Sequence, residues 1–171
     1  MDSMQSILLK EFTSESERSF SLGDTFDMKA NVLLVVITFL AGQTAYFLSI
    51  AHSSAVRHGQ MLSAFLLIVC GALTLIELFP RTYLFFSPSN GAIERKAEKL
   101  RAGRQVDEAV ISQELLGHAV EWARERAIHN KAINKVKSAI LTVVFWVMSG
   151  AVAINLITLI LFATCPSLVA H

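Results

Sequence analysis

The stretch at residues 31–50, "NVLLVVITFLAGQTAYFLSI", runs for twenty residues without a charge. A helix rises ~1.5 Å per residue, so a segment of this length crosses the ~30 Å hydrocarbon layer of a bilayer. Residues 61–79 and 139–162 have the same character, and Glu77 is the single charged residue within them. The sequence therefore predicts an all-α integral membrane protein with three transmembrane helices. These boundaries give a transmembrane hairpin at residues 31–80 and a third transmembrane helix at residues 139–163.

The composition agrees with a membrane protein. Of the 171 residues, 53% are hydrophobic and 17% are charged. A soluble domain of this size could not bury so much apolar surface. The first twenty residues contain four acids and no basic segment leading into an apolar core, which argues against a signal peptide. Cys70 lies within the second span and Cys165 follows the third, so a disulfide within one subunit is not expected.

Lysine and arginine residues are distributed unevenly along the chain. Three lie in residues 1–30, one in residues 51–60, eleven in residues 80–138, and none after residue 163. Connections that carry many lysines and arginines stay on the cytoplasmic side of a membrane. We therefore predict a cytoplasmic N-terminal segment (1–30) and a cytoplasmic helical region (81–138). The same rule places the short loop and the tail at residues 164–171 outside.

The region before the third span is predicted to contain two helices. Residues 92–102, "AIERKAEKLRA", form a short charged helix closed by Gly103, and a second helix begins near Asp107 as N-cap. No proline follows until after Phe162, so this helix continues from the cytoplasm into the membrane. Its cytoplasmic half has an apolar stripe that must pack on the N-terminal segment or on another subunit. The stripe comprises Val110, Ile111, Leu115, Ala119, Trp122, Ala123 and Ala127; the candidate cover comprises Ile7, Leu8, Leu9, Phe12 and Phe20.

Two amide side chains lie within the spans at similar depth, Gln43 in the first and Asn155 in the third. Polar groups in hydrocarbon are costly unless they are paired or face water. One interpretation is a hydrogen bond between helices that locks the bundle. The other is a ring of amides that lines an oligomeric pore. A stripe of small residues on the first span favours close helix packing: Thr38, Gly42, Ala45 and Ser49.

Four charged residues are predicted to meet at the cytoplasmic membrane boundary. Glu77 and Arg81 are four residues apart at the end of a polar face on the second span, and Asp27 and Lys29 precede the first span. The structural interpretation is an anchor in which the bases snorkel to the boundary. The functional interpretation is a latch that holds one state of a gate. The rest of the polar face comprises Ser63, Cys70 and Thr74.

Basic residues on the long helix, Arg124, Arg126 and Lys131, are candidate ligands for a phosphate-bearing molecule. Contact with anionic lipid head groups would use the same residues. Carboxylates and histidines on this helix are interpreted as a solvated face, because no matching metal-ligand pair occurs elsewhere. They comprise Glu114, His118, Glu121, Glu125 and His129. No catalytic motif or phosphate-binding loop occurs, so neither enzyme activity nor a cofactor is expected.

Several motifs together resemble the Pycsar-type transmembrane effectors. They are "DMKANVLL" at the start of the first span, "ELFPR" at residues 77–81, "YLFF" at residues 83–86 and "QELLGHAVEWARERAIHNKAINKVKSA" at residues 113–139. The similarity covers about residues 20–163. It implies a bacterial antiphage membrane effector that responds to a nucleotide signal from a partner cyclase or nucleotidyltransferase. Hailong systems use similar small proteins as channels gated by oligonucleotides.

The resemblance thus implies an ion channel or membrane-disrupting pore in the bacterial inner membrane, with a cytoplasmic N-terminus and a periplasmic C-terminus. One subunit with three spans cannot enclose a useful channel, so a homo-oligomer is expected, for example a tetramer. The expected partners are the lipid bilayer, other copies of the chain and the nucleotide or oligonucleotide signal. The alternative is a non-conducting adaptor or structural protein that recruits a partner through its cytoplasmic helix.

Overall fold

The computed structural model contains three helices: α1 (Met4–Ile50), α2 (Ser54–Leu78) and α3 (Glu108–Thr164). It describes residues 4–51, 53–79, 81, 83–84, 95, 98–99, 102 and 108–165, and all regular structure within these ranges is helical. Each of the three helices includes a segment long and apolar enough to cross a membrane. The predicted all-α chain with three apolar helices is confirmed for the described residues.

The helices extend beyond the predicted spans. Residues 4–30 are helical and continuous with the first span, so the charged N-terminal segment belongs to α1. Charged residues do not interrupt a helix, and the single Gly23 in this part is tolerated. The second helix begins at Ser54, which leaves residues 51–53 as the connection. The long continuous helix predicted from Asp107 to Phe162 is confirmed as α3.

Some predictions fall on residues that the structure does not describe. Of the predicted short helix at residues 92–102, only residues 95, 98, 99 and 102 are described, and each is helical. Gly103, Asp107, the side chain of Ile111 and residues 166–171 lie outside the described set.

The chain divides into two compact units. The polar unit comprises Met1–Gly23 and Arg81–Lys135, and the spanning unit comprises Asp24–Pro80 and Val136–His171. Helices α1 and α3 contribute to both units, whereas α2 belongs to the spanning unit.

The spanning unit has polar side chains inside and apolar side chains outside. Buried positions on α2 alternate in steps of three and four residues, the spacing of helices that pack in a left-handed bundle. They are Val56, Gln60, Ser63, Leu67, Cys70, Thr74 and Glu77. Large apolar side chains cover the outside, including Val35, Phe39, Phe65, Ile68 and Trp146. This is the reverse of a soluble domain and suits a bundle surrounded by lipid.

An apolar layer occupies the middle of this bundle. It is formed by Ile37 and Leu40 of α1, Leu67 and Cys70 of α2, and Val144 and Ala151 of α3. Along α2 the layer lies between Gln60 and Ser63 on one side and Thr74 and Glu77 on the other. The interior of the spanning unit therefore has two polar regions separated by packed apolar side chains.

Two asparagines organise the polar unit. Asn130 Oδ1 accepts a hydrogen bond from the Leu84 N–H at 3.0 Å, and Asn130 Nδ2 donates to Leu84 O at 3.3 Å and to Ser16 Oγ at 3.4 Å. One turn later, Asn134 Nδ2 donates to Ser19 O at 2.5 Å. The pair Asn130 and Asn134 thus binds the backbone of α1 and of the segment at residues 83–84.

Tyr83 closes this arrangement. Its hydroxyl donates to Asn134 Oδ1 at 2.9 Å, and its ring meets Phe20 edge-on with centroids 5.7 Å apart. The hydroxyl lies so close to Gly23 that a Cβ added there would be 2.5 Å from it. Glycine at this position lets the tyrosine approach the backbone of α1.

The apolar stripe on α3 is buried only in part. Ala123 and Ala127 are buried within the polar unit, but Val110 and Trp122 remain exposed. Which of the two predicted covers packs on the stripe stays a prediction.

Candidate gating site

A lysine lies between two carboxylates inside the spanning unit. Lys137 Nζ of α3 donates a hydrogen bond to Asp27 Oδ1 of α1 and lies 3.9 Å from Glu77 Oε1 of α2. The Lys137 side chain is 3% exposed and that of Glu77 is fully buried. We call Asp27, Glu77 and Lys137 the charge triad. It connects all three helices through one ammonium group.

Burial makes the charge triad sensitive to the loss of any member. Taking a charge out of water is costly, and a partner of opposite sign offsets that cost only while the two remain close. Asp27 is 42% exposed, so this carboxylate keeps part of its hydration. Glu77 has no such contact with solvent. The buried pair Lys137 and Glu77 therefore depends more strongly on helix positions than the partly exposed pair.

The charge triad contains two of the four predicted boundary residues. Asp27 and Glu77 both meet Lys137, a base of α3 that the sequence analysis did not single out. Lys29 is exposed, and its Nζ lies over the ring of Phe26, 5.9 Å from the centroid. Arg81 is partly buried and belongs to the polar unit. Gating roles for Lys29 and Arg81 stay predictions.

A second polar group lies on the other side of the apolar layer. We call it the polar cluster: Thr44, Gln60, Ser63, Asn155 and Thr158, all buried. Asn155 Nδ2 donates to Thr44 Oγ1 at 3.1 Å, and Gln60 Nε2 donates to Thr158 Oγ1 at 2.6 Å. The hydrogen bond predicted for Asn155 thus joins α1 and α3, but through Thr44.

Gln43, the other predicted amide, is partly buried and neighbours Thr44 on α1. One residue along a helix turns the side chain by ~100°, so Thr44 faces the bundle interior where Gln43 does not. A contribution of Gln43 to a pore wall or to a subunit contact stays a prediction.

The predicted phosphate ligands occupy different environments within the polar unit. Arg124 and Lys131 are exposed, and their spacing of seven residues places them on one face of α3. Lys131 Nζ forms an ion pair with Glu15 Oε1 at 3.1 Å. Arg126 is only 6% exposed. Arg124 and Lys131 can thus meet a ligand from solvent, whereas Arg126 cannot do so without a rearrangement.

Burial lowers the pKa of Arg126, and the negative charge of Glu17 partly opposes that shift. A guanidinium stays protonated in proteins even so. Arg126 therefore contributes a fixed buried positive charge to the polar unit.

The carboxylates and histidines of α3 do not form a metal site in the described part of the chain, where no group of three such ligands converges. His118 Nδ1 and Glu121 Oε2 lie 3.9 Å apart on one helix face.

The chain matches no protein-family model, no curated protein and no solved structure. Lys137 offsets the negative charges of Asp27 and Glu77 in the described position of α3. Moving α3 so that Lys137 is withdrawn would leave the two carboxylates to repel each other, so the charge triad favours this position.

Proposed function

We propose that the protein is a membrane effector that assembles into an oligomeric ion channel and that the charge triad holds the channel in one state. The supporting observation is Lys137, buried between carboxylates of the two other helices. Ionisable side chains within apolar segments are costly and mark functional sites more often than purely structural ones. A ligand that alters the position of α3 would change this pairing and shift the equilibrium between two states.

Assembly from several copies is part of the proposal. The apolar layer fills the middle of the three-helix bundle with packed side chains. Conduction at useful rates then requires a passage formed between subunits. The role in bacterial antiphage defence and the control by a nucleotide or oligonucleotide rest on the resemblance to Pycsar-type effectors.

The proposed orientation places the polar unit in the cytoplasm of a bacterial cell and the C-terminus in the periplasm. Fourteen of the fifteen basic residues lie before the first span or between the second and third spans. Reporter fusions after Gly91 and after His171 are therefore expected to report opposite sides. Alkaline phosphatase and green fluorescent protein fusions provide the measurement. Two reporters on the same side would contradict three spans.

Recording from purified protein in planar bilayers tests conduction. Ionic current is expected to change when a cyclic pyrimidine nucleotide or a short oligonucleotide is added on the side of the polar unit. A silent bilayer with each of these ligands, at verified protein incorporation, would favour a non-conducting adaptor.

The exposed bases give a prediction about the signal. Replacing Arg124 and Lys131 together with glutamine is expected to weaken oligonucleotide binding, because two charge-assisted contacts are lost, each worth about 1.5–3 kcal/mol. Isothermal titration with the purified protein measures the affinity. Lys10→Gln and Arg18→Gln, exposed bases on α1, provide the matched control.

Arg126→Gln separates ligand binding from folding. Since Arg126 is buried, we expect this change to lower thermal stability more than affinity.

Unchanged affinity in the Arg124 and Lys131 double variant would assign Arg124 and Lys131 to contacts with lipid head groups.

A further inference from the structure

The polar cluster contains an amide oxygen whose hydrogen-bonding capacity is unused. Gln60 is fully buried, and its Nε2 donates to Thr158 Oγ1 at 2.6 Å. Its Oε1 has no hydrogen-bond partner among the described residues. A buried acceptor without a donor destabilises a fold by about 1–3 kcal/mol, so native structures satisfy such groups with protein or with water.

The hydroxyl groups of Thr44 and Ser63 make long contacts as donors. Thr44 Oγ1 and Ser63 Oγ are 3.4 Å apart, Ser63 Oγ donates to Ala151 O at 3.4 Å, and Thr44 Oγ1 donates to Asn155 Oδ1 at 3.3 Å. Hydroxyl groups in well-formed hydrogen bonds lie about 2.7–2.8 Å from their acceptors. Thr44 also has one hydroxyl proton for two neighbouring acceptors. The two hydroxyl groups therefore donate only weak hydrogen bonds, although Thr44 Oγ1 accepts one of ordinary length from Asn155 Nδ2.

A groove on the surface of the spanning unit adjoins this cluster at Thr158, the one polar side chain among the residues that line the groove. It has a volume of about 260 Å³ and lies between the beginning of α2 and the end of α3. Thr158 belongs to both the groove wall and the cluster. Gly59 lines the same groove, where an added Cβ would meet only Ile154 Cγ2, at 3.8 Å. A water molecule occupies about 30 Å³ in the liquid, so the groove has room for several.

We infer that the polar cluster is a hydrated chamber, in which water enters through the groove beside Thr158 and donates a hydrogen bond to Gln60 Oε1. The chamber ends at the apolar layer, where Leu67 follows Ser63 on the same face of α2. Water in the chamber has a suitable set of partners, because amide and hydroxyl groups from three helices surround it. The inference goes beyond the proposed channel and would hold for a non-conducting protein as well.

The natural cysteine Cys70 provides an internal reference for a test. It lies seven residues after Ser63 on the same face of α2, ~10 Å deeper along the helix axis and within the apolar layer. In a Cys165→Ser background, Ser63→Cys adds a thiol to the chamber. Silver ions travel in water and bind thiols, and thiols left free are counted by maleimide labelling and mass spectrometry after denaturation.

We expect silver to block the thiol of Ser63→Cys at least about tenfold faster than that of Cys70. This rate ratio corresponds to a difference of ~1.4 kcal/mol in the free energy for silver to reach the thiol. Equal rates for the two thiols would overturn the inference, since neither a hydrated chamber nor an apolar end to it would then exist.

Two further changes in the Ser63→Cys protein distinguish hydration of the chamber from transient opening of the whole helix bundle. Gln60→Met removes the group that attracts water, and Gly59→Leu fills the groove. Each is expected to slow the reaction of the Ser63→Cys thiol several-fold, approaching the rate of Cys70. A slow reaction of Cys70 shows that the bundle remains folded in each variant. If Gln60→Met and Gly59→Leu both left the fast rate unchanged, access would not occur through this chamber.

Discussion

Replacing Lys137 with methionine is expected to destabilise the spanning unit by about 3 kcal/mol, because Glu77 loses a neighbouring positive charge while it remains buried. Methionine is unbranched and only one heavy atom shorter than lysine, so the effect comes mainly from charge and not from a cavity. Thermal unfolding in detergent measures stability, and bilayer recording measures open probability. In the proposed channel, the open probability of the variant should differ from that of the unmodified protein at equal protein abundance.

The double variant Lys137→Met with Glu77→Gln tests whether the two residues act together. Neutralising Glu77 removes the buried negative charge that Lys137 faces, so part of the lost stability should return and the two effects should not add. Lys135→Met, an exposed change on the same helix, is the control and should have little effect. Additive effects of the two substitutions would contradict coupling through the charge triad.

Lys29→Met compares the two candidate bases directly. One of the two sequence-based interpretations included Lys29 in a latch at the membrane boundary, whereas the geometry places Lys137 between the carboxylates. A larger change in open probability for Lys29→Met than for Lys137→Met would support the sequence-based assignment and contradict the triad.

Replacing Asn130 with leucine is expected to cost about 2–4 kcal/mol in the polar unit, because the Leu84 backbone N–H and C=O lose their side-chain partner together. The amide is 1% exposed, so water cannot replace it readily. Hydrogen exchange followed by mass spectrometry is the measurement, and peptides containing Leu84 should exchange at least about tenfold faster.

Lys131→Leu is the control for this change. It lies next to Asn130 on α3 and loses one exposed ion pair with Glu15, worth about 1 kcal/mol or less. Exchange in the Leu84 peptides should stay close to that of the unmodified protein. Unchanged exchange in Asn130→Leu would show that the segment at residues 83–84 is held by other contacts.

Periodicity and length were sufficient to predict the three apolar helices. Long uncharged stretches can satisfy their backbone groups in lipid only as helices, so the prediction depends on the stretch itself. The continuous α3 followed from the absence of a proline between Asp107 and Phe162. The helical character of residues 4–23 was harder to predict, because its support comes from packing against distant residues such as Asn130 and Asn134.

Of the four predicted boundary residues, the structure brings Asp27 and Glu77 together around a base that was not among them, Lys137. Spacing on one helix shows which side chains share a face, but it does not show which residue of another helix lies opposite. The sequence nevertheless contains a pattern that indicates Lys137. This residue belongs to a series of α3 positions spaced by alternating steps of four and three residues: Asn130, Asn134, Lys137, Leu141 and Val144. A base at a core position of such a series indicates an acid on a neighbouring helix.

The inward polar face of α2 has a consequence for how the protein is made. The partners of Gln60, Ser63 and Glu77 include Thr158, Ala151 and Lys137, which all belong to α3 and are synthesised last. A newly made α2 therefore enters the membrane before these groups exist, with an acidic side chain whose insertion is unfavourable on its own. Ribosomes that stall before α3 would release chains with an exposed polar seam, a recognisable substrate for membrane proteases. The stability of α2 in the membrane is thus expected to depend on completion of α3.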